Sequence, residues 1–426
     1  MEQPFNKISK VEGSLSLPGD KSISHRSVIF SSLAEGESVI HNLGNGEDVK
    51  STIACFSSMG VKFENQHDSI IVKGLGLKNL IKPSTPLNAG NSGTTARLIS
   101  GVLVNQDYDS EIIGDESLSR RPMQRVISPL TLMGASIHAS PQGTLPVKIY
   151  GSKELHSIEY EIPVASAQVK SCILLSGLHL DDETKVIETI PSRDHTEKML
   201  GLKVSYESGK KKIHVSKKDY PVANEYYVPG DISTAAFFMP LALLTDNSEL
   251  LIKNVSLNET RNGVVTMLQA MGANIETQNI KQNNGELSGD LIIKSSKLHN
   301  IEIPSGIIPN IIDEIPILTI TGILAEGKFS IRNAKELRGK ESDRINAICS
   351  NLKHLGLNVT EFGDGFEFDG QITNPFPVFE SFEDHRIAMS FGILSLLLPN
   401  GGKVDGFNSV AISNPDFLKQ LKTITR

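Results

Sequence analysis

One phrase recurs in the hydrophobic and polar pattern of the chain: a helix-like apolar segment ends in Met-Gly or Leu-Gly and runs straight into a short strand-like one. It reads Met59-Gly60-Val61-Lys62-Phe63, Met133-Gly134-Ala135-Ser136-Ile137, Leu200-Gly201-Leu202-Lys203-Val204, Met271-Gly272-Ala273-Asn274-Ile275 and Leu355-Gly356-Leu357-Asn358-Val359. Glycine just past a helix takes the left-handed conformation that ends it and lets a strand leave. The glycines are spaced by 74, 67, 71 and 84 residues, so the five phrases read as a repeat.

Upstream of its glycine, each unit has the same grammar. A first helix rich in small and apolar residues comes first, then a strand, a polar stretch and a second helix that the glycine terminates. The pattern predicts first helices over Ser22–Ala34, Ser92–Leu103, Ala165–Leu178, Ser233–Leu244 and Asp313–Leu324. A sixth starts at His385, and its unit ends in a C-terminal helix over Pro415–Leu421. Helices apolar on most faces are buried ones. Units of about 70 residues are too small for independent cores, so six βαβ-type units predict an α/β protein of two domains with three units each. The phrase Pro-Gly-Asp opens the first unit at Pro18 and recurs at Pro229, before the fourth. Two chain crossings there would give one domain of residues 19–230 and another of 1–18 plus 231–426. Residues 1 to about 18 would then add a strand to the C-terminal half.

Composition narrows the function classes. A net charge of −7 argues against a general nucleic-acid or membrane-surface binder, so any cationic patch is local and suited to a small anion. Cys55, Cys172 and Cys349 lie far apart without a Cys-x-x-Cys, which indicates neither a disulfide framework nor a zinc site; each reads as a buried, inert thiol. No metal or cofactor is expected. The longest apolar segments, near Ala235–Leu244 and Ile387–Leu398, fall short of the roughly 20 residues that span a bilayer. With no signal peptide visible after Met1, a cytoplasmic protein is expected.

The candidate chemistry sits where first helices begin. Lys21-Ser22-Ile23-Ser24-His25-Arg26 offers hydroxyl caps beside two cations, a ready anion site. Asn88-Ala89-Gly90-Asn91-Ser92-Gly93-Thr94-Thr95-Ala96-Arg97 is a glycine-rich nest, although not a Walker loop. Arg120-Arg121-Pro122 supplies guanidinium forks. Ser166-Ala167-Gln168-Val169-Lys170-Ser171 supplies hydroxyl, amide and ammonium groups that suit a polyhydroxylated anion. Arg338-Gly339-Lys340-Glu341-Ser342-Asp343-Arg344 and Glu383-Asp384-His385-Arg386 are dense in charge, and Asp313-Glu314 reads as an acidic cap on an apolar helix. Each cluster alone is equally a capped or solvated helix start. Together, in a chain of net negative charge, they read as one anion site built from repeated helix N-termini.

These motifs, in order over essentially the whole chain, resemble the EPSP synthases (3-phosphoshikimate 1-carboxyvinyltransferases) of the enolpyruvyl transferase family. The most specific are Lys340-Glu341-Ser342-Asp343-Arg344 and Asp384-His385-Arg386. The resemblance implies two inside-out α/β domains, each of three βαβαββ repeats, with the ligand cleft between them. It implies transfer of the enolpyruvyl group of phosphoenolpyruvate to the 5-hydroxyl of shikimate 3-phosphate in aromatic amino-acid biosynthesis, and a glyphosate target. Shikimate 3-phosphate would be held by Lys21, Ser22, Arg26, Ser166, Gln168, Asp313 and Lys340. Phosphoenolpyruvate would be held by Lys21, Asn91, Gly93, Arg121, Gln168, Arg344 and Arg386. Asp313, Glu341 and Lys21 would carry the proton transfers, with His385, Arg97 and Ser192 in support. The expected partners are those two small molecules only, with no nucleic acid or membrane, and the expected state is a monomer.

Several features depart from the usual pattern of the family. Ala167 stands where many members have a second serine, Glu336 where some have asparagine, and Gly339 where valine is usual. Near Ala411-Ile412-Ser413 the lysine of some members is missing. The nearest rival on the same fold, UDP-N-acetylglucosamine enolpyruvyltransferase, would carry a reactive cysteine in a glycine-rich context, in the region where this chain has Arg120-Arg121-Pro122. A non-catalytic metabolite-binding protein on the same scaffold is the rival from another class, and only turnover separates it.

Overall fold

All five exit glycines hold a positive φ, from 63° at Gly201 to 101° at Gly272, and a strand follows each: Lys62–Gln66, Ser136–His138, Val204–Glu207, Asn274–Asn283 and Asn358–Phe362. The structure, a computed structural model, describes residues 2–76, 78–151 and 154–426. The predicted first helices form over Lys21–Leu33, Gly93–Leu103, Ala167–Gly177, Ile232–Leu244, Ile315–Leu324 and His385–Leu397, and the last helix runs over Phe417–Ile424. Their ends coincide with the expected ones or differ from them by up to three residues.

Two compact units are present. The N-terminal unit comprises Gly19–Val228 and Gln282–Glu286; the C-terminal unit comprises Met1–Pro18, Pro229–Lys281 and Leu287–Arg426. In the N-terminal unit, three four-stranded sheets repeat one topology. Strand Leu87–Asn88 runs parallel to Ser110–Ile113, which pairs antiparallel with Val147–Tyr150, which pairs antiparallel with Ser136–His138. Glu159–Glu161, Thr184–Glu188, Lys210–Val215 and Val204–Glu207 reproduce it. Glu225–Tyr227, from the end of the unit, supplies the parallel strand for Glu35–His41, Ser69–Leu75 and Lys62–Gln66.

The C-terminal unit holds one four-stranded and two three-stranded sheets. Residues 1–18 were expected to add one strand there, and they add two. Gln3–Phe5 pairs antiparallel with Gly402–Asp405, and Glu12–Ser16 pairs parallel with Glu249–Ser256.

Each unit closes around its own apolar cluster, and no residue belongs to both. The first helices form the centre. Ile232–Leu244, Ile315–Leu324 and His385–Leu397 pack on one another in the C-terminal unit, and Gly93–Leu103 packs on Ala167–Gly177 in the N-terminal unit. That last contact is close: a Cβ on Gly101 would meet the Cys172 carbonyl oxygen at 2.2 Å. Glycine there lets the backbones touch, and a side chain would force them apart. All three cysteines are buried, and burial pushes each thiol up to about 12, which keeps it protonated and inert. Among the described residues no single helix is long and apolar enough to cross a membrane.

A helix buried on every face exposes polar groups only at its ends, and the caps there are acids more often than hydroxyls. Asp20 accepts from the Ile23 amide at 2.9 Å, Asp231 from Ser233 at 2.7 Å and Asp384 from Arg386 at 2.9 Å; Ser92 and Ser166 cap the other two capped helices. The hydroxyl of Ser24, expected as a cap, instead accepts from the Gly44 amide. Asp313 and Glu314, also expected as caps, provide no cap bond to Ile315–Leu324; ion pairs take them elsewhere.

Candidate active site

In the N-terminal unit the predicted residues fall into several small hydrogen-bonded groups. Asn91 accepts from Arg121 Nη2 at 2.8 Å and donates to Asp115 at 2.6 Å, which fixes its amide. Arg97 donates to Gln168 Oε1 at 2.6 Å, and Gln168 donates to Thr94 at 3.0 Å. A Cβ on Gly93 would lie 2.7 Å from Arg97 Nη1, so the glycine leaves room for that guanidinium group, whereas Arg121 Nη1 at 3.7 Å would be in ordinary contact. Arg120, by contrast, is exposed and pairs with Glu116. Lys21, at the first turn of its helix, is partly exposed and bonds Asp48 at 2.9 Å.

Arg26 is 3% exposed. Its Nε donates to Thr196 Oγ1 at 2.7 Å, Nη1 to the Ser22 carbonyl at 2.9 Å and Nη2 to Ser171 Oγ at 2.7 Å. Those partners are all neutral. Burial pulls this guanidinium down to about 10, and the more distant Glu197 and Asp20 only partly offset it. A buried cation held by hydroxyls and a carbonyl carries a desolvation cost that these neutral partners offset only in part. Beside it, burial pushes His25 down to about 3, so the ring is neutral; its Nδ1 lies 2.7 Å from Thr52 Oγ1.

Lys170 behaves in the opposite way and corrects the expectation that its ammonium serves a ligand. It is fully buried and bonds Glu197 at 2.7 Å, Glu188 at 3.0 Å and the Ser192 carbonyl at 3.3 Å. Lys211 joins Glu197 at 2.9 Å. Burial alone would raise the Glu197 carboxyl, but the two ammonium groups outweigh it and hold it low. Ser192 turns its hydroxyl onto Glu188. Ser166 accepts the Val169 amide at 3.4 Å as a cap.

In the C-terminal unit the predicted residues converge on Arg344, which is 1% exposed. Its Nε donates to Asp384 at 2.8 Å, Nη2 to Glu341 at 2.5 Å and Nη1 to Asp313 at 3.4 Å. Burial would lower this guanidinium; Asp384, Glu341 and Asp313 more than reverse that and raise it. For Asp384, burial acts upward and Arg344 outweighs it, so the carboxyl sits below its usual range. Lys340 lies 3.5 Å from Asp313 and 3.0 Å from Glu336. Arg386 donates to the Asp313 carbonyl at 2.9 Å and lies 3.5 Å from Glu314. His385 is buried at the start of the same helix. Arg338, from the dense charged run, serves structure: it bonds Asp343 at 2.7 Å and Glu361 at 2.9 Å.

Sequence reasoning missed Asp48, Asp115 and Thr196 in the N-terminal unit and Arg261 in the C-terminal one, and it named Ser171 only as part of a hydroxyl-rich helix start. Arg261 is 2% exposed and grips both oxygens of Glu314 at 2.9 Å. It sits in an ordinary turn, Asn258-Glu259-Thr260-Arg261, and only its tertiary partner reveals it.

Residues 5–421 match the family model described as EPSP synthase (3-phosphoshikimate 1-carboxyvinyltransferase). A 3-phosphoshikimate 1-carboxyvinyltransferase from Petrotoga mobilis is 48% identical over 100% of this chain and 99% of its own length. One from Alkaliphilus metalliredigens is 43% identical over 99% of both. The solved EPSP synthase of Acinetobacter baumannii superposes with a TM-score of 0.88 at 40% identity, covering 100% of this chain and 98% of that one. The enolpyruvyl transferase NikO of Streptomyces tendae, with a TM-score of 0.73 at 14% identity over 100% of this chain and 97% of its own, shares the fold. The match over nearly the whole length favours this group over the UDP-N-acetylglucosamine rival. The chain belongs to the EPSP synthase family, the 3-phosphoshikimate 1-carboxyvinyltransferases.

Proposed function

We propose that these polar residues carry the family's reaction. Shikimate 3-phosphate is bound by Lys21, Ser22, Arg26, Ser166, Gln168, Asp313 and Lys340. Phosphoenolpyruvate is bound by Lys21, Asn91, Gly93, Arg121, Gln168, Arg344 and Arg386. Arg97 supports Gln168, and Ser192 and His385 support the residues around them.

The observation that carries this reading is the cluster at Arg344. Two carboxylates able to move protons, Asp313 and Glu341, share one buried guanidinium with Arg386 and Lys340 close by. The reaction adds a proton to the methylene carbon of phosphoenolpyruvate while the 5-hydroxyl oxygen bonds the neighbouring carbon. The resulting tetrahedral intermediate then loses phosphate and returns a methyl proton. Asp313 accepts the hydroxyl proton, and Glu341 delivers and recovers the carbon-bound one. An anion that takes up Arg344 removes the ion pair from Glu341 and so favours the protonated acid that the first step requires. Lys21 assists where the two substrates meet.

A cytoplasmic monomer is the proposed form. Three buried thiols without a disulfide suit a reducing compartment. Lys21→Ala tests the reading. Its pair with Asp48 is partly exposed and contributes little to stability, so the thermal midpoint should stay within a few degrees of wild type. Turnover should vanish and both substrates should bind more weakly. Near-normal turnover would contradict the assignment.

A further inference from the structure

Three successive residues of the short helix His195–Leu200 are buried, and each meets a different part of the N-terminal unit. His195 Nδ1 lies 2.8 Å from Glu286, and Glu197 takes Lys170 and Lys211. Between them, Thr196 Oγ1 accepts from Arg26 Nε at 2.7 Å and hydrogen-bonds Ser171 Oγ at 2.7 Å, while Ser171 accepts from Arg26 Nη2 at 2.7 Å. Arg26, Thr196 and Ser171 therefore form a closed ring of hydrogen bonds.

We infer that Thr196 and Ser171 are positioning residues that aim the Arg26 guanidinium at an anionic group of shikimate 3-phosphate without neutralising it, and that the Lys170–Glu197–Lys211 cluster fixes the helix carrying Thr196. The inference rests on the proposed role of Arg26. Its ground is the contrast between two buried cations in one unit. Lys170 is saturated by two carboxylates, whereas among the described residues Arg26 has no ion-pair partner. A carboxylate in place of Thr196 would orient Arg26 equally well, but it would compete with the ligand for the charge. A hydroxyl orients the fork and leaves the charge available.

Thr196→Val keeps volume and removes the acceptor. Losing one charge-assisted hydrogen bond should raise the Kd and KM for shikimate 3-phosphate about 10- to 100-fold. The KM for phosphoenolpyruvate and kcat should move by less than about threefold, and Thr196→Ser should restore wild-type values. Ser171→Ala should shift the same constant in the same direction, and it carries the test if Thr196→Val does not fold. An unchanged Kd for shikimate 3-phosphate, or an equal rise in both KM values, would overturn the inference. Arg26→Met separates it from the underlying reading. If Arg26→Met leaves the Kd unchanged, the ligand assignment of Arg26 fails; if it raises the Kd and the hydroxyl variants do not, the positioning role alone fails.

Discussion

Glu341→Gln should lower kcat by about 10²- to 10⁴-fold, the span that a positioned acid or base contributes, while leaving the protein folded. The substitution keeps shape and hydrogen-bonding capacity but removes the proton that must reach carbon. Arg344 loses one of three carboxylate partners and keeps Asp384 and Asp313, so the buried guanidinium stays compensated. Shikimate 3-phosphate, assigned to other residues, should bind as in wild type. A second readout follows from the chemistry. A proton added to the methylene carbon and later withdrawn exchanges solvent deuterium into the enolpyruvyl group, and Glu341→Gln should suppress that exchange in step with turnover. A variant that turned over normally, or exchanged normally without turning over, would remove Glu341 from the role.

Arg344→Met should be costly in a different way. Removing one partner of a buried ionic network leaves the others uncompensated, at about 3–5 kcal/mol, a drop in thermal midpoint on the order of 10 °C for a unit of this size. The pH dependence should also change sign. In the wild type, Asp384 sits below its usual range, so its contribution is present at neutral pH and is lost only as pH falls through that depressed value. Without Arg344, burial dominates and raises the Asp384 carboxyl above its unfolded value. The folded variant then binds the extra proton, and its stability should fall as pH rises from 5 to 8. Denaturation at both pH values measures this. A variant as stable as the wild type at pH 8 would show that the cluster is solvated rather than buried. Phosphoenolpyruvate binding should weaken as well, since Arg344 is one of its proposed anchors.

The repeat was legible because glycine exits and all-apolar helices follow from local chemistry. A left-handed terminator and a helix without a polar face can each be read from a short window, and the positions from Gly60 to Gly356 behave accordingly. The helix starts were legible as places where polar groups gather, but the roles within them were not. Ser24 was read as a cap, yet Asp20 caps the helix, because either residue can serve and only the chain's path decides. Lys170 and Gln168 stand two residues apart on a helix that is buried almost throughout. Periodicity cannot tell which of them points into the core when no face is polar. The N-terminal segment supplies two strands rather than one because its partners, Gly402–Asp405 and Glu249–Ser256, lie hundreds of residues away. Arg261 escaped for the same reason: its carboxylate partner is 53 residues on, and nothing local announces the pair.

The most direct measurement is inorganic phosphate released by the purified chain with shikimate 3-phosphate, with phosphoenolpyruvate, and with both. Phosphate in step with 5-enolpyruvylshikimate 3-phosphate, only when both substrates are present, is the predicted result. Phosphate released from phosphoenolpyruvate alone, or none released with both substrates bound, would contradict the account.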